Sequence, residues 1–119
     1  MEPDRLDYFR SLLQSRLDAL IDEAKATVTD LAEGDENYAD PTDRAAAESD
    51  RSFLLRIRDR ERRLIGKIKE ALQRVEEGTF GVCDNCGEEI GERRLEARPV
   101  TTQCIDCKTE AEKKERTGS

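Results

Sequence analysis

The chain has 119 residues, of which 41% are charged, 35% hydrophobic and 4% aromatic, with no Trp and a formal charge of −7. A chain this charged is either disordered or built from extended helices, and so small an apolar core ordinarily needs a staple such as a metal. There is no histidine, which excludes Ser-His-Asp, Cys-His and His-ligated metal catalysis and reads as a protein that is not an enzyme.

Residues 4–33 read as one long helix. Apolar side chains recur at Leu6, Phe9, Leu13, Leu17, Leu20, Ala24, Val28 and Leu31, in steps of three and four. Charges fill the other faces, so the stripe is narrow, as in a coiled-coil seam. The start, Met1-Glu2-Pro3-Asp4, is acidic and has no apolar run, unlike a secretory signal.

Gly34-Asp35-Glu36-Asn37-Tyr38-Ala39-Asp40-Pro41 breaks the periodicity and reads as a turn. A second helix is expected from there to Glu77, with Asp40 as N-cap, Pro41 in the first position and Asp43 in the third. Its seam is Phe53, Leu54, Ile57, Leu64, Ile65, Ile68, Leu72 and Val75, interrupted by Glu61, and Gly78 ends it. At roughly 1.5 Å per residue the two helices reach about 45–55 Å, and the short connection makes them antiparallel neighbours. The expected fold is mainly α: a two-helix coiled-coil hairpin over residues 1–78 with its tip at about 34–45, then a zinc-finger module and C-terminal helix over 79–119.

All four cysteines fall in one pattern, Cys83-x2-Cys86, seventeen residues, Cys104-x2-Cys107. This is the spacing of a four-thiolate zinc site. Four protein sulfurs leave no open coordination position, so the ion is structural. Gly87 lets the first knuckle turn. The last helix is expected from about Cys104 to Arg116. Cysteines arranged for metal fit a reducing cytoplasm, and no segment is apolar for long enough to span a membrane.

Charge argues against DNA despite the zinc signature. Four thiolates and one zinc ion bring the formal charge from −7 to −9, and nucleic-acid affinity comes largely from neutralising phosphates. Residues 1–50 hold 14 acidic and 5 basic side chains, whereas residues 51–119 hold 14 and 16. Such asymmetry suits docking to a protein with its own charge pattern.

Several stretches together carry a resemblance. They are Asp40-Pro41-Thr42-Asp43-Arg44-Ala45, Arg58-Asp59-Arg60-Glu61-Arg62, Phe80-Gly81-Val82-Cys83-Asp84-Asn85-Cys86-Gly87, the run from Ile90 through Arg94-Leu95-Glu96-Ala97-Arg98-Pro99, and Cys104-Ile105-Asp106-Cys107-Lys108. The chain resembles the DksA/TraR family of RNA polymerase-binding transcription factors, closely over residues 40–115 and by pattern over the first helix. The resemblance implies a hairpin inserted into the secondary channel of bacterial RNA polymerase, changing the stability of promoter open complexes without reading DNA sequence. It implies that Asp40, Asp43 and Ala45 form the tip that approaches the active centre, and that Arg60 meets the channel rim on the beta-prime subunit. It also implies that Lys67, Arg98 and Lys108 bind guanosine tetraphosphate, the stringent-response alarmone, between factor and polymerase. The partners expected are the beta-prime and beta subunits, and the protein itself is expected to be a monomer. Longer family members carry an extra N-terminal segment, whereas this chain starts close to the hairpin helix.

Each of these residues has a plainer reading. Asp40 and Asp43 are good helix caps, Arg58, Arg60, Arg62 and Arg63 could be a solvated face, and Lys67, Arg98 and Lys108 ordinary surface charges. Two other functions compete. A transcript-cleavage factor would use the acidic tip to hold a second magnesium, and a redox-sensitive zinc protein would use the C-x-x-C pairs.

Overall fold

The computed structural model describes residues 1–33 and 41–117, and only the backbone of 41–43. Four helices follow in order: α1 (Pro3–Glu33), α2 (Pro41–Glu77), α3 (Glu92–Ala97) and α4 (Ile105–Thr117). The fold is mainly α, with two long antiparallel helices, a small four-cysteine module and a C-terminal helix. The short helix α3 inside the module was not expected from sequence. None of the helices among the described residues is long and apolar enough to cross a membrane.

The chain forms two compact units, and α1 and α2 each contribute to both. The first combines Met1–Gln14 with Ile68–Ser119, and is called the zinc unit below. The second is Ser15–Lys67, the helical unit.

The zinc unit is tightly packed. Phe9, Leu13, Ala71 and Leu95 have no exposed surface, and Ile68, Val75, Phe80 and Ile90 are nearly as well buried. Pro3 opens α1 where its missing N–H costs nothing, and the carbonyl of Glu2 accepts from the N–H groups of Arg5 and Leu6 at 3.1 and 3.0 Å. Helix α2 stops at Gly78, whose φ of 78° lies in the left-handed region. There the N–H groups of Thr79 and Phe80 close back on the Arg74 carbonyl at 3.0 and 3.1 Å. That reversal delivers Phe80 to Phe9, with ring centroids 5.3 Å apart.

Charged contacts frame this aromatic core. Arg5 bonds Glu92 and Glu96 on α3, each at 3.1 Å, and its guanidinium lies 4.6 Å from the Tyr8 ring centroid. Arg10 bridges Asp7 at 2.7 Å and Glu76 of α2 at 3.3 Å.

In the helical unit the seam follows a strict heptad. On α1 the seam runs through Leu17, Leu20, Ala24, Thr27 and Leu31, all half-buried or buried, with Ile21 half-buried beside it. This corrects the expected pattern at one place. Val28 is 51% exposed, and Thr27 takes the seam because the alternation of steps of three and four continues through 24, 27 and 31. The Thr27 hydroxyl is satisfied by donating to the Glu23 carbonyl at 3.1 Å. On α2 the seam runs through Leu54, Ile57, Glu61 and Leu64, while Phe53 is 57% exposed. Glu61 does not interrupt the seam; it occupies a position in it, buried.

A candidate zinc centre and the surfaces beside it

Two knuckles build the metal site. In the first, Val82 and Glu89 pair as an isolated antiparallel bridge. The Cys83 N–H donates to the Glu88 carbonyl at 2.8 Å, and the Ile90 N–H to the Gly81 carbonyl at 2.7 Å. Between them the chain reverses through Gly87, whose φ of +74° an L side chain would resist and whose N–H donates to the Cys83 carbonyl at 3.0 Å. The second knuckle opens α4. Helix α4 begins at Ile105, directly after Cys104, and the Lys108 N–H donates to the Cys104 carbonyl at 3.0 Å.

Hydrogen bonds position the knuckles against each other. The Asp84 N–H donates to the Thr102 carbonyl at 2.8 Å. Arg94 of α3 reaches the Gln103 carbonyl at 3.0 Å and the Thr101 hydroxyl at 3.4 Å, which fixes the segment entering Cys104.

The sulfurs of Cys83, Cys86, Cys104 and Cys107 all lie within 4.8 Å of one another. The Cys86 and Cys104 Sγ atoms are 3.8 Å apart. That is far too long for a disulfide, whose S–S bond is about 2.05 Å. It matches the edge of a tetrahedron around zinc, about 3.8 Å for a Zn–S bond of about 2.3 Å. The Asn85 amide donates to Cys107 Sγ at 3.3 Å, and the Cys107 N–H to Cys104 Sγ at 3.5 Å, as ligand sulfurs require. The donor set fits one structural Zn2+. Asn85 and Arg94 were not singled out from sequence. Asn85 lies inside the first C-x-x-C, where a side-chain donor is well placed to meet a sulfur.

The protonation of the thiols explains why a divalent ion is needed. The Cys86 backbone N–H, with that of Cys104, draws the Cys83 thiol down to about 6 against the effect of burial. For Cys86 the Glu88 backbone N–H favours the thiolate, but burial and the sulfurs of Cys83, Cys107 and Cys104 together push it up to about 12. Cys107 is favoured as thiolate by the Asn85 amide, yet Cys104 and burial raise it overall. Without metal, then, protons stay on Cys86 and Cys107. Zinc must displace them, so its affinity falls as pH falls. Against a fixed concentration of chelator, the fraction of protein retaining zinc should decline steadily from about pH 8 to about pH 6. A flat profile would contradict ligation by four thiolates.

The other residues singled out from sequence lie apart from this centre. Asp40 lies outside the described residues. Asp43 is the third residue of α2, its side chain outside the description, and Ala45 is exposed on the same helix. Arg60 and Lys67 are exposed on α2 in the helical unit. Arg98 caps the end of α3, its N–H donating to the Arg94 carbonyl at 2.7 Å, and Lys108 is half-buried on α4; both belong to the zinc unit. None of Arg60, Lys67, Arg98 and Lys108 has an ion-pair partner among the described residues.

Comparison with known proteins agrees with this arrangement. The sequence model described as "DnaK suppressor protein DksA, N-terminal domain" matches residues 5–75, and the "Prokaryotic dksA/traR C4-type zinc finger" matches residues 78–113. The chain is 50% identical to the RNA polymerase-binding transcription factor DksA of Escherichia coli K12, covering 98% of this chain and 77% of that protein. It is 44% identical to the same-named protein of Caulobacter vibrioides, over 98% and 82%. The solved structure of transcription factor DksA2 from Pseudomonas aeruginosa superposes with a TM-score of 0.93 at 36% identity, covering 97% of this chain and 88% of that one. With helices, zinc knuckles and similarity along nearly the whole chain in agreement, the chain belongs to the DksA family of proteins carrying a DksA/TraR C4-type zinc finger.

Proposed function

We propose that this protein is a regulator that binds bacterial RNA polymerase, places the segment between α1 and α2 in the secondary channel and alters the stability of promoter open complexes. The observation that carries this reading is half-identity, along nearly the whole chain, to relatives named RNA polymerase-binding transcription factors. The charge pattern supports it. The protein is too acidic overall to favour nucleic acid, yet α2 carries Arg58, Arg60, Arg62 and Arg63 on a surface suited to an acidic protein partner.

In this reading Asp40, Asp43 and Ala45 act at the tip and Arg60 docks on the channel rim of the beta-prime subunit, near beta. Lys67, Arg98 and Lys108 contribute cations for the clustered phosphates of guanosine tetraphosphate. Zinc takes no part in chemistry; its work is to hold the module that presents Arg98 and Lys108. The protein acts as a monomer in the cytoplasm and is not an enzyme.

The test is the lifetime of open complexes at a ribosomal-RNA-type promoter, measured with no factor, with this protein and with Asp43→Asn, each with and without the alarmone. The wild type should shorten the lifetime several-fold. Asn has the shape of Asp and its loss of a first-turn charge costs at most about 1 kcal/mol, so Asp43→Asn should still bind polymerase but leave the lifetime near that of polymerase alone. A wild-type protein that fails to bind polymerase would sink the proposal. RNA hydrolysis in backtracked complexes would favour the cleavage-factor reading instead.

A further inference from the structure

The two buried polar side chains among the described residues, Thr27 and Glu61, both lie in the helical unit. They differ in one respect. The Thr27 hydroxyl has its partner in the Glu23 carbonyl, whereas Glu61 is 6% exposed and its Oε1 has no hydrogen-bond partner. Glu61 stands in the α2 heptad Leu54, Ile57, Glu61, Leu64, Ile68, where an apolar side chain would fit the pattern.

The two units are built to different standards. The apolar core residues with no exposed surface, Phe9, Leu13, Ala71 and Leu95, all belong to the zinc unit. The buried apolar residues of the helical unit are Leu17 and Leu31, at 7% and 8% exposure. Two helices paired without a third layer gain little from packing, and most helix stability in proteins comes from packing. A buried carboxylate with an unmet oxygen adds a desolvation cost to that small gain.

We propose that Glu61 makes Ser15–Lys67 a separately opening segment, kept marginal by its orphan carboxylate while the zinc unit stays closed. Because a segment with few buried apolar contacts opens locally at low free energy, it can adjust its seam against a partner surface without unfolding the rest of the chain. The inference rests on burial and the missing partner, whatever the protein binds.

The test is native-state amide exchange of the full-length, zinc-loaded protein, comparing wild type, Glu61→Leu and Thr27→Val at two protein concentrations. A buried polar atom left without a partner carries a desolvation cost, which an apolar residue of similar volume removes. Amides of residues 57–65 should therefore exchange about tenfold or more slowly in Glu61→Leu, with those of residues 71–75 changed less than about twofold. Thr27→Val should change little, since its hydroxyl is already satisfied. Equal slowing in both units, no slowing at 57–65, a Thr27→Val effect as large as that of Glu61→Leu, or slowing that grows with protein concentration would each overturn the proposal.

Discussion

Removing zinc with a strong chelator, or replacing Cys104 by Ser, should unfold residues 79–117 and leave α1 and α2 as the surviving helices. Structural four-ligand zinc contributes on the order of 10–16 kcal/mol to folding at neutral pH, as much as the entire stability of an ordinary domain. Little else holds this stretch. Its buried apolar residues are few: Phe80, Ile90, Leu95 and Pro99, with Cys83 itself a ligand. Helix α4 buries no residue, so it is tied to the module chiefly through the two sulfurs at its start, one of which accepts from the Asn85 amide. Far-UV circular dichroism should show loss of the helicity of α3 and α4, and zinc re-addition at neutral pH should restore it. Since four thiols must give up their protons to bind zinc, restoration should be poorer in mild acid. Full helicity and an unchanged melting temperature in Cys104→Ser would contradict this account.

The physics that made the zinc site legible in sequence is local. Two C-x-x-C turns need only their own spacing to declare four sulfurs, and the gap of seventeen residues is long enough to bring the turns together. The helices were legible because burial imposes a period, and Gly78 and Pro41 mark ends whose backbone demands are local too. What was not legible depends on the opposing helix. Val28 and Thr27 fit a step of three or four equally well from Ala24 and onward to Leu31, and only the strict alternation already set by Leu17, Leu20 and Ala24 against a paired helix selects Thr27. Glu61 breaks the apolar pattern, so sequence alone reads it as an interruption, whereas the α2 neighbours on either side carry it into the seam. The ties of α1 to the module, through Arg5 with Glu92 and Glu96, join residues more than eighty positions apart. Nothing in either segment announces the other. The same holds for the closing of Phe9 on Phe80, which joins the start of α1 to the zinc module in one core.

That shared core leads to the second large effect. Phe9→Ala should destabilise the zinc unit by about 3–5 kcal/mol, the range for a fully buried Phe. Phe9 has no exposed surface, meets Phe80 at 5.3 Å and Tyr8 at 5.1 Å between ring centroids, and lies under the Arg5 guanidinium at 5.4 Å. Truncation removes the ring and leaves a cavity that the helix backbones on either side cannot collapse into. If zinc binds only the folded unit, the loss must also appear as weaker zinc binding, by roughly tenfold for each 1.4 kcal/mol of folding free energy that binding has to restore. Phe9→Leu keeps most of the volume and should lose far less of both. Urea denaturation and zinc competition on the same three proteins measure the two quantities separately. Zinc affinity unchanged in Phe9→Ala, beside a clear drop in the unfolding midpoint of α1 and α2, would mean that the four-cysteine module folds by itself and that the packing of Phe9 on Phe80 joins two finished parts.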